Sequence, residues 1–103
     1  MSKELLTLDR IKEITHSVVA SKKGVRSVIL FGSYAKKLAN EDSDIDIIVD
    51  FFDVFEDDCY ADVLKELESL TDRKVDLLEL DGVLNSVYRD SLLEGGIHLY
   101  VRP

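Results

Sequence analysis

Residues 43–52 run Ser-Asp-Ile-Asp-Ile-Ile-Val-Asp-Phe-Phe. The segment is apolar on both faces, yet it opens with two carboxylates one residue apart. In a strand, successive side chains point to opposite faces. Asp44 and Asp46 therefore share one face, while Ile45, Ile47 and Val49 share the other and can enter a core. Ile48, Phe51 and Phe52 extend the apolar character to both faces, so the segment reads as an internal strand, from Ser43 to Phe52. Carboxylates in such a strand need a reason, because a buried charge without a partner is costly. One reason is a polar, half-exposed outer face. The other is a cation: side-by-side carboxylates raise each other's pKa unless a cation lies between them. A hard ion such as Mg²⁺ suits the pair, since it needs only one or two carboxylates and takes its other ligands from water and substrate phosphates. An EF-hand loop is excluded, because Ile47 stands where that loop needs Gly and Asp53 where it needs Glu.

Upstream, Gly32-Ser33 precedes Asp44-Ile45-Asp46 by ten residues. Val25 to Phe31 is a β-branched, apolar run and predicts a strand that Gly32 ends. Gly32 lets backbone approach a phosphate closely, and Ser33 offers a hydroxyl near the start of a helical turn, where N–H groups favour anions. That turn is predicted over Ser33 to Leu38, and Ala39 to Asp42 forms a polar loop into the next strand.

The remaining elements follow from periodicity. Leu8, Ile11, Ile14, Thr15, Val18 and Val19 predict an amphipathic helix from Thr7 to Lys22, with His16 on its polar side. Tyr60, Val63, Leu64, Leu67 and Leu70 predict a second helix from Asp57 to Thr71, its stripe explained by core packing. After the second strand, Asp50, Asp53, Glu56, Asp57, Asp58 and Asp62 form an acidic stretch that runs into this helix. It reads either as a solvated loop with favourable charge at a helix N-terminus, or as a patch for a partner. Lys74 to Leu80 predicts a third strand, with Asp76, Leu78 and Leu80 on one face. Asp81-Gly82 reads as a turn, and Val83, Leu84, Val87, Tyr88 and Leu92 as a last helix stopped by Gly95-Gly96. Ile97 to Val101 is a final strand, with His98 read as structural. The order predicts an α+β (α/β) fold: a small mixed β-sheet with helices packed against it.

A chain of 103 residues suits one domain, 1–103, with one modest core. No apolar run approaches the roughly 20 residues that span a membrane, and Met1-Ser2-Lys3-Glu4 lacks a signal-peptide core. The single cysteine, Cys59, excludes an internal disulfide and suits a cytoplasmic location; it reads as a small residue on a helix. A net charge of −8 argues against a broad nucleic-acid surface, is neutral toward a nucleotide whose charge a metal carries, and is compatible with a basic protein partner.

Gly32-Ser33-Tyr34-Ala35-Lys36, followed by Ser43-Asp44-Ile45-Asp46-Ile47, resembles the signature of the DNA polymerase beta-like nucleotidyltransferases. It is more closely similar to the minimal nucleotidyltransferases, the antitoxin halves of HEPN/MNT toxin–antitoxin pairs. The resemblance runs from Val25 to Tyr100 and implies a palm-like nucleotidyltransferase core. Two positions bear on detail: Lys37 stands where the family usually has Gly, and Lys36 where it has Arg or Lys. Asp76, in Val75-Asp76-Leu77-Leu78, matches the family's third carboxylate, which holds a metal or acts as general base. Arg89 falls in a helix that resembles the family's Arg-x-x-Ile-Leu stretch and is expected to pair with acids.

The resemblance implies Mg²⁺-dependent transfer of AMP from ATP to a hydroxyl. Asp44 and Asp46 would bind one Mg²⁺ on the triphosphate, and Asp46 and Asp76 a second near the acceptor, the two ions about 4 Å apart. Gly32 and Ser33 would seat the β,γ-phosphates so that pyrophosphate leaves in line. The implied acceptor is a tyrosine of a HEPN-type ribonuclease toxin, silenced by AMPylation. Two alternatives stand beside it. One is a non-catalytic antitoxin that acts by binding alone, against which the intact Gly32, Ser33, Asp44, Asp46 and Asp76 speak. The other is a transferase acting on a small molecule such as an aminoglycoside, or on a nucleic-acid end. The absence of a second domain counts against the former of these, and the acidic charge against the latter.

Overall fold

The computed structural model describes residues 6–22, 24–52 and 59–102. In chain order the elements are α1 (Leu8–Val19), β1 (Val25–Phe31), α2 (Gly32–Ala35), β2 (Ile45–Phe51), α3 (Cys59–Thr71), β3 (Val75–Glu79), α4 (Leu80–Leu84), α5 (Arg89–Leu93) and β4 (Ile97–Val101). The strands form one mixed sheet in the order β3-β2-β1-β4. β1 pairs antiparallel with β2 and with β4, whereas β2 and β3 run parallel. A parallel pair needs a crossover connection, and α3 lies within it. The doubly apolar segment is thus an internal strand, as its pattern predicts.

Alternation along β2 divides the molecule. Ile45, Ile47 and Val49 enter the main core with Ile11, Ile14 and Val18 of α1 and Val63 and Leu67 of α3. Ile48 faces the other way, into a smaller cluster with Phe31 and Val83 that Leu92 and Leu93 border. Each fully buried aliphatic side chain contributes about 1.5–3 kcal/mol, so the core under α1 and α3 dominates stability. Thr7 caps α1 by accepting a hydrogen bond from the Arg10 amide at 3.1 Å. Arg102, beyond β4, donates to the carbonyls of Val19, Lys22 and Val25 at 2.8–3.0 Å and so closes the α1–β1 connection. Among the described residues no helix is long and apolar enough to cross a membrane.

The predicted last helix is a correction. Asp81-Gly82 lies inside α4 rather than in a turn, and a break over 85–88 separates α4 from α5. Local hydrogen bonds cause the break. Asn85 Nδ2 donates to the Asp81 carbonyl at 2.8 Å, and the Tyr88 amide donates to Ser86 Oγ at 3.0 Å. Such side chains compete with the helix for its backbone groups. Of the predicted stripe Val83 is buried, whereas Leu84, Val87 and Tyr88 are exposed. Leu70 is likewise exposed, whereas Val63 and Leu67 of α3 are buried in the main core and Tyr60 and Leu64 pack against it. His98 is exposed on the edge strand β4. His16 is exposed as expected, with its ring 5.5 Å from that of Tyr100. Arg89 does meet an acid, Asp90, at 3.4 Å. Of the acidic stretch, Asp50 lies 3.8 Å from Arg26 and Asp62 is exposed. Asp53, Glu56, Asp57 and Asp58 lie outside the described residues, as does the side chain of Cys59.

Lys37 resolves the departure from the family pattern at that position. Its φ is +61°, in the left-handed region that glycine adopts freely. A lysine there costs about 1–2 kcal/mol, partly offset because glycine loses more entropy on folding, about 0.5–1 kcal/mol. Lys37→Gly is therefore expected to raise stability by about 0.5–1 kcal/mol. Urea unfolding of the two proteins checks this, and a destabilised variant would show that the exposed lysine supplies a compensating contact.

Candidate active site

The site starts where β1 runs into α2. Gly32 has φ +70°, and the adjacent Phe31 pairs with Asp46 across β1 and β2. A Cβ built on Gly32 would collide with Asp46 Oδ2 and lie within 3.0 Å of its Cγ. The bare Cα is therefore a geometric requirement: the glycine makes room for the Asp46 carboxylate. α2 then turns over Ser33, whose carbonyl accepts from the Leu38 amide at 2.8 Å.

Asp46 and Asp76 are Cα partners in the parallel β2–β3 ladder. Neighbouring strands lie about 4.8 Å apart, so the two side chains stand next to each other on one face. Both line a cavity of about 460 Å³, with Phe31, Tyr60, Val75 and Leu78 among its walls. Burial pushes the Asp46 carboxyl up to about 6, helped by a hydrogen bond with Asp76 and by the like charges of Asp76 and Asp44. A carboxyl raised by burial beside a second carboxylate is poised either to move a proton or to receive a cation.

Asp44 lies one residue before β2, outside the strand that its spacing predicts. The strand starts only at Ile45, whose amide donates to the Lys74 carbonyl at 3.0 Å. Ahead of it, Asn40 Oδ1 accepts from the Asp42 amide and Ser43 Oγ accepts from the Asn40 amide, both at 2.9 Å. This local turn delivers Asp44 to the strand entrance, where it acts on Asp46 by charge. Among the described residues no three His, Cys, Asp or Glu side chains converge as a metal cage.

Two residues outside the predicted set hold β3 in place. The Tyr60 hydroxyl donates to the Leu77 carbonyl, next to Asp76. Glu68 Oε2 accepts from the Val75 amide at 3.1 Å, on the other side of Asp76. Periodicity assigns Tyr60 to the core stripe of α3. Nothing in the spacing tells that its hydroxyl reaches the strand and its ring lines the cavity.

Comparison with known proteins identifies the family. The family model for polymerase beta nucleotidyltransferases matches residues 12–103. The protein adenylyltransferase MntA of Thermococcus cleftensis is 34% identical over 96 residues, which cover 87% of this chain and 94% of that one. A solved structure described as a minimal nucleotidyltransferase superposes with a TM-score of 0.72 at 30% identity, over 89% of this chain and 95% of its own. At 21% identity and a TM-score of 0.56, the fold also recurs in a complex of the tri-AMPylated Shewanella oneidensis HEPN toxin with its MNT antitoxin, over 88% of this chain and 73% of that chain. The family match runs through all four strands of the sheet and both carboxylate-bearing segments, and the chain belongs to the polymerase beta nucleotidyltransferase family.

Proposed function

We propose that this chain, as one minimal nucleotidyltransferase domain over 1–103, transfers AMP from ATP to a tyrosine hydroxyl of a HEPN-type ribonuclease toxin. It thereby acts as the antitoxin of the pair. The observation that carries the reading is the Asp46–Asp76 register pair at one cavity, with Gly32 packed bare against Asp46. The relative named protein adenylyltransferase and the neighbouring complex with an AMPylated HEPN toxin support the choice of nucleotide and partner. A basic toxin surface would complement a net charge of −8. Use of ATP and a lone cysteine favour a cytoplasmic setting for the reaction.

The donor set fits Mg²⁺. It consists of hard carboxylate oxygens, and the repulsion that raises Asp46 is what a cation would relieve. Asp44 with Asp46, and Asp46 with Asp76, would hold two such ions. When bound, they would offset the triphosphate charge and favour the ionised acceptor hydroxyl. Gly32 and Ser33 would seat the β- and γ-phosphates at the head of α2. Asp46 would give up its proton before the substrate binds. Asp76, the more exposed of the pair, would take the acceptor's proton. A new P–O bond forms to the tyrosine oxygen, the bond to pyrophosphate breaks, and pyrophosphate leaves in line.

Intact-mass spectrometry tests this. The chain is co-purified with its HEPN partner and incubated with ATP and Mg²⁺. The expected result is a partner heavier by whole AMP units, unchanged when Asp44→Ala replaces the wild type. A tight complex that blocks toxicity without any added mass would sink the enzymatic reading and leave an antitoxin that acts by binding.

A further inference from the structure

We infer that a groove on the β3 side of the cavity is the docking surface for the acceptor. Its occupant is a partner-protein segment that is apolar along its length, basic at its ends and carries the tyrosine to be modified. The inference rests on the transfer reading above and deepens it.

Sheet order sets the direction. Gly32-Ser33 follows β1, Asp46 lies on β2, Asp76 lies on β3, and β3 is the edge of the sheet. In-line displacement puts the attacking and leaving oxygens on opposite sides of the phosphorus. With the phosphates seated on the β1 flank, the acceptor must arrive from the β3 flank. A groove of about 510 Å³ lies on that flank, and it shares Tyr60, Leu77 and Leu78 with the cavity that Asp46 and Asp76 line. The two spaces adjoin at that shared wall.

The chemistry of the groove selects its occupant. Its other walls come from α4 and α5, with Val83 and Leu92 as the large apolar groups. The same turn leaves Leu84, Val87 and Tyr88 exposed, at 43%, 94% and 67%. Exposed apolar groups this close in sequence to the groove's α4 wall extend its apolar character toward solvent. Glu79 lines the groove, and the exposed Asp81 follows within one turn. Among the described residues no Lys or Arg lines it. A nucleotide phosphate would be repelled there. An apolar peptide with Lys or Arg at its ends would bury its middle and pair its ends.

Gly82 provides the test. It lines the groove, and an added Cβ would meet no atom within 4 Å. Gly82→Leu therefore occupies groove space without backbone conflict and favours the helix it sits in. Two synthetic peptides with one central tyrosine serve as probes. One has Leu and Ile flanks with Arg ends, the other Ser and Gly flanks with Glu ends. ¹⁵N-labelled protein is titrated with each, and peptide mass is followed with ATP and Mg²⁺. The expected result is that the basic, apolar peptide shifts amides of 77–86 and 92 and binds at least about tenfold more tightly than the acidic one. Gly82→Leu should weaken that binding at least about tenfold and leave ATP binding unchanged. Equal binding of the two peptides, no binding, shifts elsewhere, or an indifferent Gly82→Leu would each overturn the assignment. So would groove shifts on simple dilution, which would give the surface to a second copy of this chain. Groove shifts without AMP on the tyrosine would defeat the transfer reading while the docking surface stands. AMP on the tyrosine without groove shifts would do the reverse.

Discussion

Asp46→Asn is expected to lower adenylate transfer by about 10³-fold or more while making the metal-free protein more stable at pH 8. The first effect follows if Asp46 is the ligand shared by the two proposed Mg²⁺ ions, a role worth several kcal/mol of transition-state charge stabilisation at about 1.4 kcal/mol per tenfold. The second follows from the sign of the titration. The Asp46 carboxyl is raised from 3.8 to about 6 in the folded protein, chiefly by burial and then by Asp76 and Asp44. Below pH 3.8 the group is protonated in both states and favours neither. Between pH 4 and 6 the folded state keeps a proton that the unfolded state has lost. Stability therefore falls as pH rises through this window and stays reduced above it. Because Asp46 is partly exposed, solvent screening limits the effect to about 1–2 kcal/mol. Thermal melts in EDTA at pH 4 and pH 8 measure it: the wild type should lose stability between the two relative to Asp46→Asn. Added Mg²⁺ should then restore the wild type at pH 8 and leave the variant unmoved. Parallel pH profiles for the two proteins would show that Asp46 carries no raised pKa.

That trade of stability for chemistry bears on how the sequence could be read. β2 was legible because alternation separates Ile45, Ile47 and Val49 from Asp46, and Ile48 demands a second covered face. β1 was legible as a β-branched, apolar run between Gly24 and Gly32, and β4 as a short run after Gly95-Gly96, and their bounds match Val25–Phe31 and Ile97–Val101. The pairing of Asp46 with Asp76 was not legible from spacing. Thirty residues and a crossover helix separate them, and register is a property of the assembled sheet. Resemblance supplied the Asp76 role where physical pattern alone left an ordinary edge-strand acid. The last helix misled because Val83, Leu84, Val87, Tyr88 and Leu92 keep helical spacing across a break made by Asn85 and Ser86. Periodicity records which residues could share a face, and it does not register local hydrogen bonds that end the helix. The same limit hid Tyr60, whose ring obeys the stripe while its hydroxyl serves β3.

Gly32 shows the limit most sharply, since its glycine is needed for a reason two strands long. Gly32→Ala is expected to cost about 1–3 kcal/mol of stability and to lower transfer by about 10²-fold or more. Two independent penalties add. A φ of +70° strains any residue with a Cβ, and the new methyl would stand where the Asp46 carboxylate lies. Gly82→Ala is the matched control: no atom lies within 4 Å of its added Cβ, and helix propensity favours alanine by about 1 kcal/mol. The two penalties at Gly32 are separable by a double-mutant cycle. Asp46→Ala removes the Cγ and Oδ2 that the methyl would strike and keeps only the Cβ, 3.1 Å away, so adding Gly32→Ala to it should leave the backbone strain and one tight contact. Gly32→Ala should thus cost about 1 kcal/mol less in the Asp46→Ala background than in the wild type. Urea denaturation of the four proteins gives that number. Strict additivity would mean that the glycine is required by its backbone alone, and that Asp46 does not depend on the missing side chain for its place.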